Sequence, residues 1–381
     1  MKKLIAMLLA AMMIFSFAAC GDKDGGDDTT TTAGKVVVIT STTSQGEEEY
    51  QAGLAMQAKY PDRVKSITWP AGSSTTEQMI STVTQEAADK DVKAIVMCQA
   101  AEGTIAAINA CKEMGRDDIL FVGGVCHEPP AAIGAVCDVC MLVDEIGMGT
   151  EVIKQAKSMG AETFVHISFA RHLSLETIAK RRVLFQETCA ELGIEYVEAT
   201  APDPAGDAGV PGAQQWIVEN IPTYVQEYGV NTAFFSTNCG MQEPLIRTVA
   251  EQKAIYPQQC CPSPYHGYPS ALAIEVAGHE GDVEWMLEAI KGKVAEYGNS
   301  GRMSTWTVPI NMLFVEAGVE YALDYIDGKV SPAEGTKLDD AAFRAIVNEI
   351  AGGSAIITNY EDDNEGTVKN FYTILCPFYT F

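Results

Sequence analysis

Short apolar runs alternate with longer amphipathic segments along most of this chain. The first run, KVVVIT at 35–40, is followed by a polar loop at 41–46 and a helical pattern at 47–60. An uninterrupted apolar run is typical of a strand buried on both faces of a parallel sheet, in which helices connect successive strands. The chain therefore opens with a βα unit, and its polar loop lies at the sheet edge where ligands usually bind.

The same alternation continues through two stretches of similar length. Helical patterns separate the further apolar runs, which predict strands at 64–69, 92–98, 119–122 and 135–143, and then at 163–169, 194–199 and 232–236. Strands joined by helices pair in parallel, with helices on both faces of the sheet. The predicted fold class is α/β, with two doubly wound parallel-sheet lobes joined by a hinge.

The last third of the chain contains fewer elements. The pattern predicts a short strand at 304–308, an amphipathic helix at 309–326, a helix at 339–350 and a strand at 371–376. The glycine at 328 ends the long helix, because glycine readily adopts the left-handed conformation that follows a helix.

The amino terminus has the pattern of a bacterial lipoprotein signal. Lys2 and Lys3 precede an apolar run at 4–17 that is short for a membrane span, and FAAC at 17–20 resembles a lipobox cleaved before its cysteine. We predict that the thiol of Cys20 carries a lipid. A plain secretory peptide with an incidental cysteine is the alternative.

These features divide the amino-terminal region into a signal peptide at 1–19 and a lipidated, disordered tether at 20–34. The tether is almost entirely Gly, Asp and Thr, a composition that cannot build a core. The predicted location is the extracytoplasmic face of the cell membrane, which the protein contacts only through its lipid.

Net charge excludes one class of partner. The 381 residues carry a formal charge of −25, whereas binding to nucleic acid requires a clustered basic surface. The export signal also stands where a repressor of similar fold would carry a DNA-binding helix-turn-helix. We therefore expect no nucleic-acid partner.

The cysteines give no metal or disulfide prediction. Of the eleven cysteines, ten remain after Cys20. Cys137 and Cys140 form a CxxC pair inside the predicted strand 135–143, where their side chains would point to opposite faces about 10 Å apart, beyond the reach of a disulfide. No second CxxC completes a zinc site, and the adjacent Cys260 and Cys261 are uninformative.

Motifs of catalysis are missing from the sequence. It contains no GxSxG, HExxH, SxxK, GxGxxG or GxxxxGK[ST]. Glu47–Glu49 are expected in the first turn of a helix, where they would repel a phosphate. Cys126 and His127 are not expected to face each other, and His166 is predicted to be a satisfied core residue. The protein is predicted not to be an enzyme and to have no cofactor or metal.

Binding of a small polar molecule requires less than catalysis: polar and aromatic side chains that converge from two lobes. Asp203 and Asp207 follow a strand, and ligand hydrogen bonding is a simpler role for them than acid–base chemistry or calcium binding. Each candidate alone has an ordinary alternative as a surface or packing residue. The predicted ligand-binding residues are Ser41, Thr42, Thr43, Trp69, Gln99, Arg171, His172, Asp203, Asn238, Tyr265, His266 and Trp306.

The lipobox, the tether, the KVVVIT strand, the second lobe and the late helix ending in YALDYIDGK together resemble type I periplasmic substrate-binding proteins of the ribose-binding and basic-membrane-protein kind. The resemblance is greatest to an uncharacterised family of bacterial lipoproteins with that fold. It implies three crossings between lobes. Lobe 1 would comprise 35–143 and about 302–330, and lobe 2 would comprise 144–301 and about 331–381.

The function predicted is that of a monomeric, lipid-anchored solute-binding protein. It would capture a small polar ligand, such as a sugar, a nucleoside or an amino-acid-like molecule, and deliver it to the permease of an ABC transporter. A ligand-sensing receptor for a membrane kinase and a hydrolase are the alternatives. Neighbouring genes for a permease or a kinase would separate the first two, and turnover of a ligand would favour the third.

Overall fold

The computed structural model describes residues 34–70 and 76–381, without the side chains of 43–45. The predicted signal peptide, Cys20 and most of the predicted tether lie outside the described residues. Among the described helices, none combines the length and the apolar composition needed to cross a bilayer.

Alternating strands and helices build the first half of the fold. In chain order they are β1 (Lys35–Thr40), α1 (Thr43–Lys59), β2 (Val64–Thr68), α2 (Thr76–Ala87), β3 (Val92–Cys98), α3 (Thr104–Glu113), β4 (Leu120–Gly124), α4 (Pro130–Gly134) and β5 (Val139–Val143). β1 pairs in parallel with β2 and β3, and β4 pairs in parallel with β3 and β5. The runs of Val, Ile and Met in β1 and β3 are buried because helices cover both faces of the sheet.

A second group of elements follows. It comprises α5 (Glu145–Ser158), β6 (Thr163–Ser168), α6 (Ala170–Leu173), α7 (Glu176–Leu192), β7 (Glu195–Thr200), α8 (Gly209–Tyr228), β8 (Thr232–Ser236), α9 (Gln242–Gln252), α10 (Tyr268–Ala271) and α11 (Val283–Glu296). The second sheet has the parallel order β7-β6-β8, and single bridges at Ala233–Ile255 and Tyr256–Met303 continue it. Phe185 of α7 packs on Phe164 and Phe235 on one face of this sheet.

The last elements are β9 (Ser304–Trp306), α12 (Ile310–Ile326), α13 (Asp340–Ile350), β10 (Ile356–Asp362), β11 (Gly366–Leu375) and β12 (Phe378–Thr380). α12 lies against the first sheet, where Gly318 permits a close approach: a Cβ there would lie 2.8 Å from Cγ1 of Val96. The α12 helix therefore packs on the first lobe.

The carboxyl-terminal tail differs from the expectation that 331–381 joins the second lobe. β11 pairs in parallel with β5, and β10 pairs with β11, so the first sheet has the order β10-β11-β5-β4-β3-β1-β2. Phe343 of α13 packs on Tyr372 of β11 at 4.7 Å between ring centroids, because the tail buries its apolar residues on the first lobe. The last strand, β12, instead pairs with β9 in a separate two-stranded sheet, and Phe381 after it packs in the core of the second lobe.

One local prediction is also wrong. The strand expected at 135–143 begins only at Val139, so Cys137 lies before the strand and its thiol interacts with that of Cys140 instead of pointing away from it, although both thiols are free, as predicted. The start of the first helix is confirmed: α1 includes Thr43, but a kink at Gly46 separates its first residues from a regular helix that begins with Glu47–Glu49. Gly46 interrupts the helical conformation there, with φ −154° and ψ 57°.

Candidate functional site

Residues that follow the strands of both sheets lie near one another where the two lobes meet, a region called the crevice below. His127, after β4, interacts electrostatically with Arg171 and His172, which lie in α6 after β6. Glu49 of α1 similarly interacts with Cys239, which follows β8. Because parallel strands end at the same edge of their sheet, this crevice is the position at which α/β proteins usually bind ligands.

The crevice has an outer and an inner part, each built from both lobes. The outer part, called the rim, consists of Glu102, His127, Arg171, His172 and Asp203. The inner part, called the inner cluster, consists of Glu48, Glu49, Cys239, Cys260 and Cys261.

Arg171 and Asp203 of the rim form a bidentate ion pair. Nε and Nη2 of Arg171 donate to the two carboxylate oxygens of Asp203 at 2.9 and 2.8 Å. The hydrogen bonds from Arg171 hold the pKa of Asp203 below its usual value. The Arg171 side chain is 51% exposed, so solvent screens the pair and an anionic ligand could exchange with Asp203 at small cost.

The rim also presents two neutral imidazoles. Nδ1 of His172 lies 3.2 Å from Oγ1 of Thr237, and its ring lies 4.2 Å from that of Phe169. Burial, together with the positive charge of Arg171, lowers the pKa of His172 to about 3. His127 reaches solvent, yet the protein atoms around it desolvate the ring enough to lower its pKa as well. Neutral imidazoles can donate and accept hydrogen bonds to an uncharged polar ligand.

Glu49 is a buried carboxylate that the first lobe holds with its own groups. Its Oε1 accepts from the backbone N–H of Ser41 at 2.9 Å, and its Oε2 accepts from Nε2 of Gln99 at 2.9 Å and Nδ2 of Asn311 at 3.2 Å. Burial raises the pKa of Glu49 and these hydrogen bonds oppose the rise. Ser41 and Gln99, predicted to contact a ligand, therefore contact Glu49.

Glu48 differs from its neighbour. Its side chain is buried, and among the described residues neither carboxylate oxygen has a hydrogen-bond partner of normal geometry. Burial raises its pKa to about 8, although the nearby hydroxyl of Ser263 favours the ionised form. A buried polar group without a partner is costly, so Glu48 is suited to an additional partner in the crevice.

Three cysteines of the second lobe complete the inner cluster. Sγ of Cys239 lies 3.4 Å from Sγ of Cys260 and 3.7 Å from Sγ of Cys261. Burial raises the pKa of the Cys260 thiol. The sequence interpretation missed this cluster, and the available signal was a cysteine just after a strand together with an adjacent cysteine pair in the next strand-end loop.

The remaining predicted residues have other contacts. Nε1 of Trp306 donates to Oε1 of Gln258 at 3.0 Å in the core, so Trp306 is a packing residue. The hydroxyl of Tyr265 donates to the carbonyl of His279 at 3.2 Å, and Oδ1 of Asn238 accepts from the N–H of Gly240 at 2.9 Å.

Trp69 is buried near the end of β2, and its indole nitrogen has no partner in the described part of the chain. Nδ1 of His266 lies 2.8 Å from the carbonyl of Cys261, so His266 is adjacent to the inner cluster. Thr42 caps α1 and is half-buried, and the side chain of Thr43 lies outside the described residues.

His166 lies in the core, as predicted, but its hydrogen bonding is incomplete. Its Nδ1 lies 3.0 Å from the hydroxyl of Tyr196, whereas Nε2 has no partner among the described residues. Burial lowers its pKa to about 3.

Comparison with known proteins assigns a family. A family model described as "Protein of unknown function (DUF3798)" matches residues 35–304. The chain belongs to the DUF3798 family. An uncharacterised protein of Treponema pallidum (strain Nichols) is 29% identical over 217 residues, which are 57% of this chain and 98% of the relative.

Solved structures with lower sequence identity to this chain share its fold. A putative transcriptional regulator from Clostridium difficile 630 superposes with a TM-score of 0.73 at 22% identity, over 91% of this chain and 99% of the regulator. A periplasmic solute-binding protein of an ABC transporter from Actinobacillus succinogenes 130z, with bound D-allose, gives 0.52 at 16% identity, over 78% and 93%. The predicted α/β fold of the type I periplasmic-binding-protein kind is confirmed.

Proposed function

We propose that this DUF3798 protein is a lipid-anchored, extracytoplasmic solute-binding protein that holds a small polar ligand in the rim. The observation that carries the proposal is that His127 of the first lobe interacts electrostatically with Arg171 and His172 of the second, and all three follow strand ends of the two sheets. A ligand at this position contacts both lobes at once, so its binding favours their closed arrangement.

The chemistry of the rim favours an uncharged, hydroxyl-rich ligand. Two neutral imidazoles and an Arg–carboxylate pair supply donors and acceptors, and Arg171 is balanced by Asp203. The ring of Phe169 is buried against these side chains, 5.3 Å from the guanidinium carbon of Arg171 and 4.2 Å from the ring of His172, and so holds them in place. Binding proteins of this fold include one solved with D-allose, and this supports a sugar-like ligand.

Delivery to a membrane permease completes the proposed role. The lipobox at 17–20 and the following tether support anchoring through Cys20. Incorporation of labelled palmitate into the wild type but not into Cys20→Ser tests the anchor. Equal labelling of the two proteins contradicts it.

Ligand binding is tested on purified protein by thermal-shift screening against sugars, nucleosides and amino acids, followed by calorimetry. We expect one chemical class to raise the melting temperature, and small-angle scattering to show compaction when that ligand saturates the protein. If a tight ligand produces no compaction, closure of the lobes is rejected. If no sugar, nucleoside or amino acid binds, the proposed solute-binding role is rejected.

A further inference from the structure

The thiols of Cys239, Cys260 and Cys261 have the spacing of metal ligands. All three sulfur atoms lie within 4.8 Å of one another, and two of the separations are 3.4 and 3.7 Å. With Zn–S bonds of about 2.3 Å, tetrahedral geometry places two sulfur ligands about 3.8 Å apart. The three sulfurs can therefore surround one ion with small movements of their side chains.

The surroundings of the sulfurs fit thiolates. Nε2 of Gln242, which is fully buried, donates its two hydrogens to the carbonyls of Ser236 and Asn238 at 3.1 and 3.0 Å and lies 3.5 Å from Sγ of Cys260, close enough to share one of them with the sulfur. A donor fixed in this way stabilises negative charge on sulfur, as the second shell of a metal site does. No disulfide joins the described cysteines, so the three sulfurs are available.

The candidate for a fourth ligand comes from the opposite lobe: the carboxylate of Glu48 lies outside the group of three sulfurs and would have to move towards them when an ion binds. Glu48 of α1 interacts electrostatically with Cys261, and neither of its buried carboxylate oxygens has a hydrogen-bond partner of normal geometry among the described residues, although the hydroxyl of Ser263 and the N–H of Asn311 are near. Carboxylate oxygen is an accepted ligand of Zn²⁺ beside thiolates. An ion at this position would give Glu48 the partner that it lacks.

We propose that Cys239, Cys260, Cys261 and Glu48 form a binding site for a thiophilic divalent ion, Zn²⁺ in particular. On binding, each thiol gives its proton to solvent as a metal–sulfur bond forms, and no atom is oxidised or reduced. Because three ligands belong to the second lobe and one to the first, the ion ties the two lobes together at the inner end of the crevice. The site is separate from the rim, so the inference does not depend on the proposed ligand.

The test uses the reduced protein, purified without oxygen and titrated with Co²⁺ and then Zn²⁺. We expect one equivalent of Co²⁺ to give thiolate charge-transfer absorption and the visible bands of tetrahedral cobalt, and Zn²⁺ to displace it. Cys239→Ser should weaken binding at least tenfold. The control Cys189→Ser, which removes a buried thiol in α7 outside the cluster, should bind as the wild type does.

The variant Glu48→Gln tests the role of the fourth ligand separately from that of the three cysteines. We expect it to retain the thiolate bands while binding Co²⁺ about tenfold more weakly. If Cys239→Ser does not fold, protection of peptides containing Cys239, Cys260 and Cys261 from alkylation by bound Zn²⁺ replaces it as the readout. Absence of thiolate bands in the reduced wild type, or equal protection of all cysteines, overturns the proposal. A Cys239–Cys260 disulfide that persists in the reduced, oxygen-free sample also overturns it.

Discussion

The rim and the inner cluster lie in the same crevice but satisfy their polar groups in different ways. Arg171 and Asp203 of the rim pair with each other and remain in contact with solvent. In the inner cluster Glu49 is fully paired, whereas Glu48 beside it has no partner among the described residues. Solvent-screened groups exchange partners with little change in free energy. For a buried charged group, gaining or losing a hydrogen-bond partner changes the free energy by several kilocalories per mole. The rim is therefore suited to reversible capture and the inner cluster to a resident group.

The largest effect is expected for Glu49→Ala. Removing this carboxylate leaves the N–H of Ser41 and the amides of Gln99 and Asn311 unpaired in a buried place, which should lower the free energy of unfolding by roughly 3 kcal/mol. Urea denaturation of the metal-free protein measures this. The control Glu47→Ala, at an exposed position of the same helix, should change it by less than about 0.5 kcal/mol. Equal effects would show that Glu49 is not a structural anchor.

In the rim, Arg171→Ala should reduce ligand affinity roughly tenfold, which corresponds to about 1.4 kcal/mol. The free energy of unfolding should change by less than about 1 kcal/mol, because the ion pair with Asp203 is half-exposed. Calorimetry with the ligand found by screening measures the affinity. Arg182→Ala is the matched control, because Arg182 forms a similar exposed pair with Glu198 of β7. An affinity that changes equally in both variants removes Arg171 from the site.

Substitution of Glu48 should change the free energy of unfolding in the opposite direction to substitution of Glu49. Glu48→Met replaces an unpaired buried carboxyl with an apolar side chain of similar length, and in metal-free protein it should raise the free energy of unfolding by about 1 kcal/mol. Urea denaturation in the presence of a chelator is the measurement. A loss of stability in Glu48→Met would mean that Glu48 has a partner of its own within the fold.

The smallest effect concerns pH. His172 has a pKa of about 3 in the folded protein and about 6.5 when unfolded, so below pH 6.5 the unfolded chain binds a proton that the folded chain does not. Stability contributed by the neutral ring is therefore present above pH 6.5 and is lost as the pH falls towards 3. Allowing for partial exposure, the loss at pH 5 is about 1 kcal/mol.

His172→Gln should remove this part of the pH dependence, while His279→Gln, at a ring stacked on Trp285 outside the crevice, should not. Denaturation midpoints at several pH values between 5 and 7 measure the difference. The same slope in His172→Gln and the wild type would assign the pH dependence to other groups.

Much of the fold follows from local patterns. β1, β3 and β8 have the predicted bounds, because short runs rich in β-branched, apolar and aromatic residues favour a strand. β10 was missed, because only one of its side chains is buried and its sequence contains Asn, Asp and Glu. Edge strands are exposed in this way, and their pairing depends on the sheet that they join.

The candidate site was also only partly predictable, because the partners of its side chains depend on the surrounding fold. Sequence analysis placed polar residues at strand ends, and Arg171, His172 and Asp203 do meet in the crevice. It assigned Ser41 and Gln99 to a ligand, although both contact Glu49, whose direction depends on where α1 begins.

The sequence by itself determined the alternation of strands and helices, the parallel sheets and the strand-end position of the site, since each of these depends on residues close together in the chain. Only the tertiary structure decided which lobe receives the tail and which side chains share a buried space. Cys239 lies beside Cys260 and Cys261, and Glu48 of the other lobe interacts electrostatically with Cys261, because two sheets bring their strand ends together. Contacts between residues so distant in the chain depend on packing, which no local pattern records.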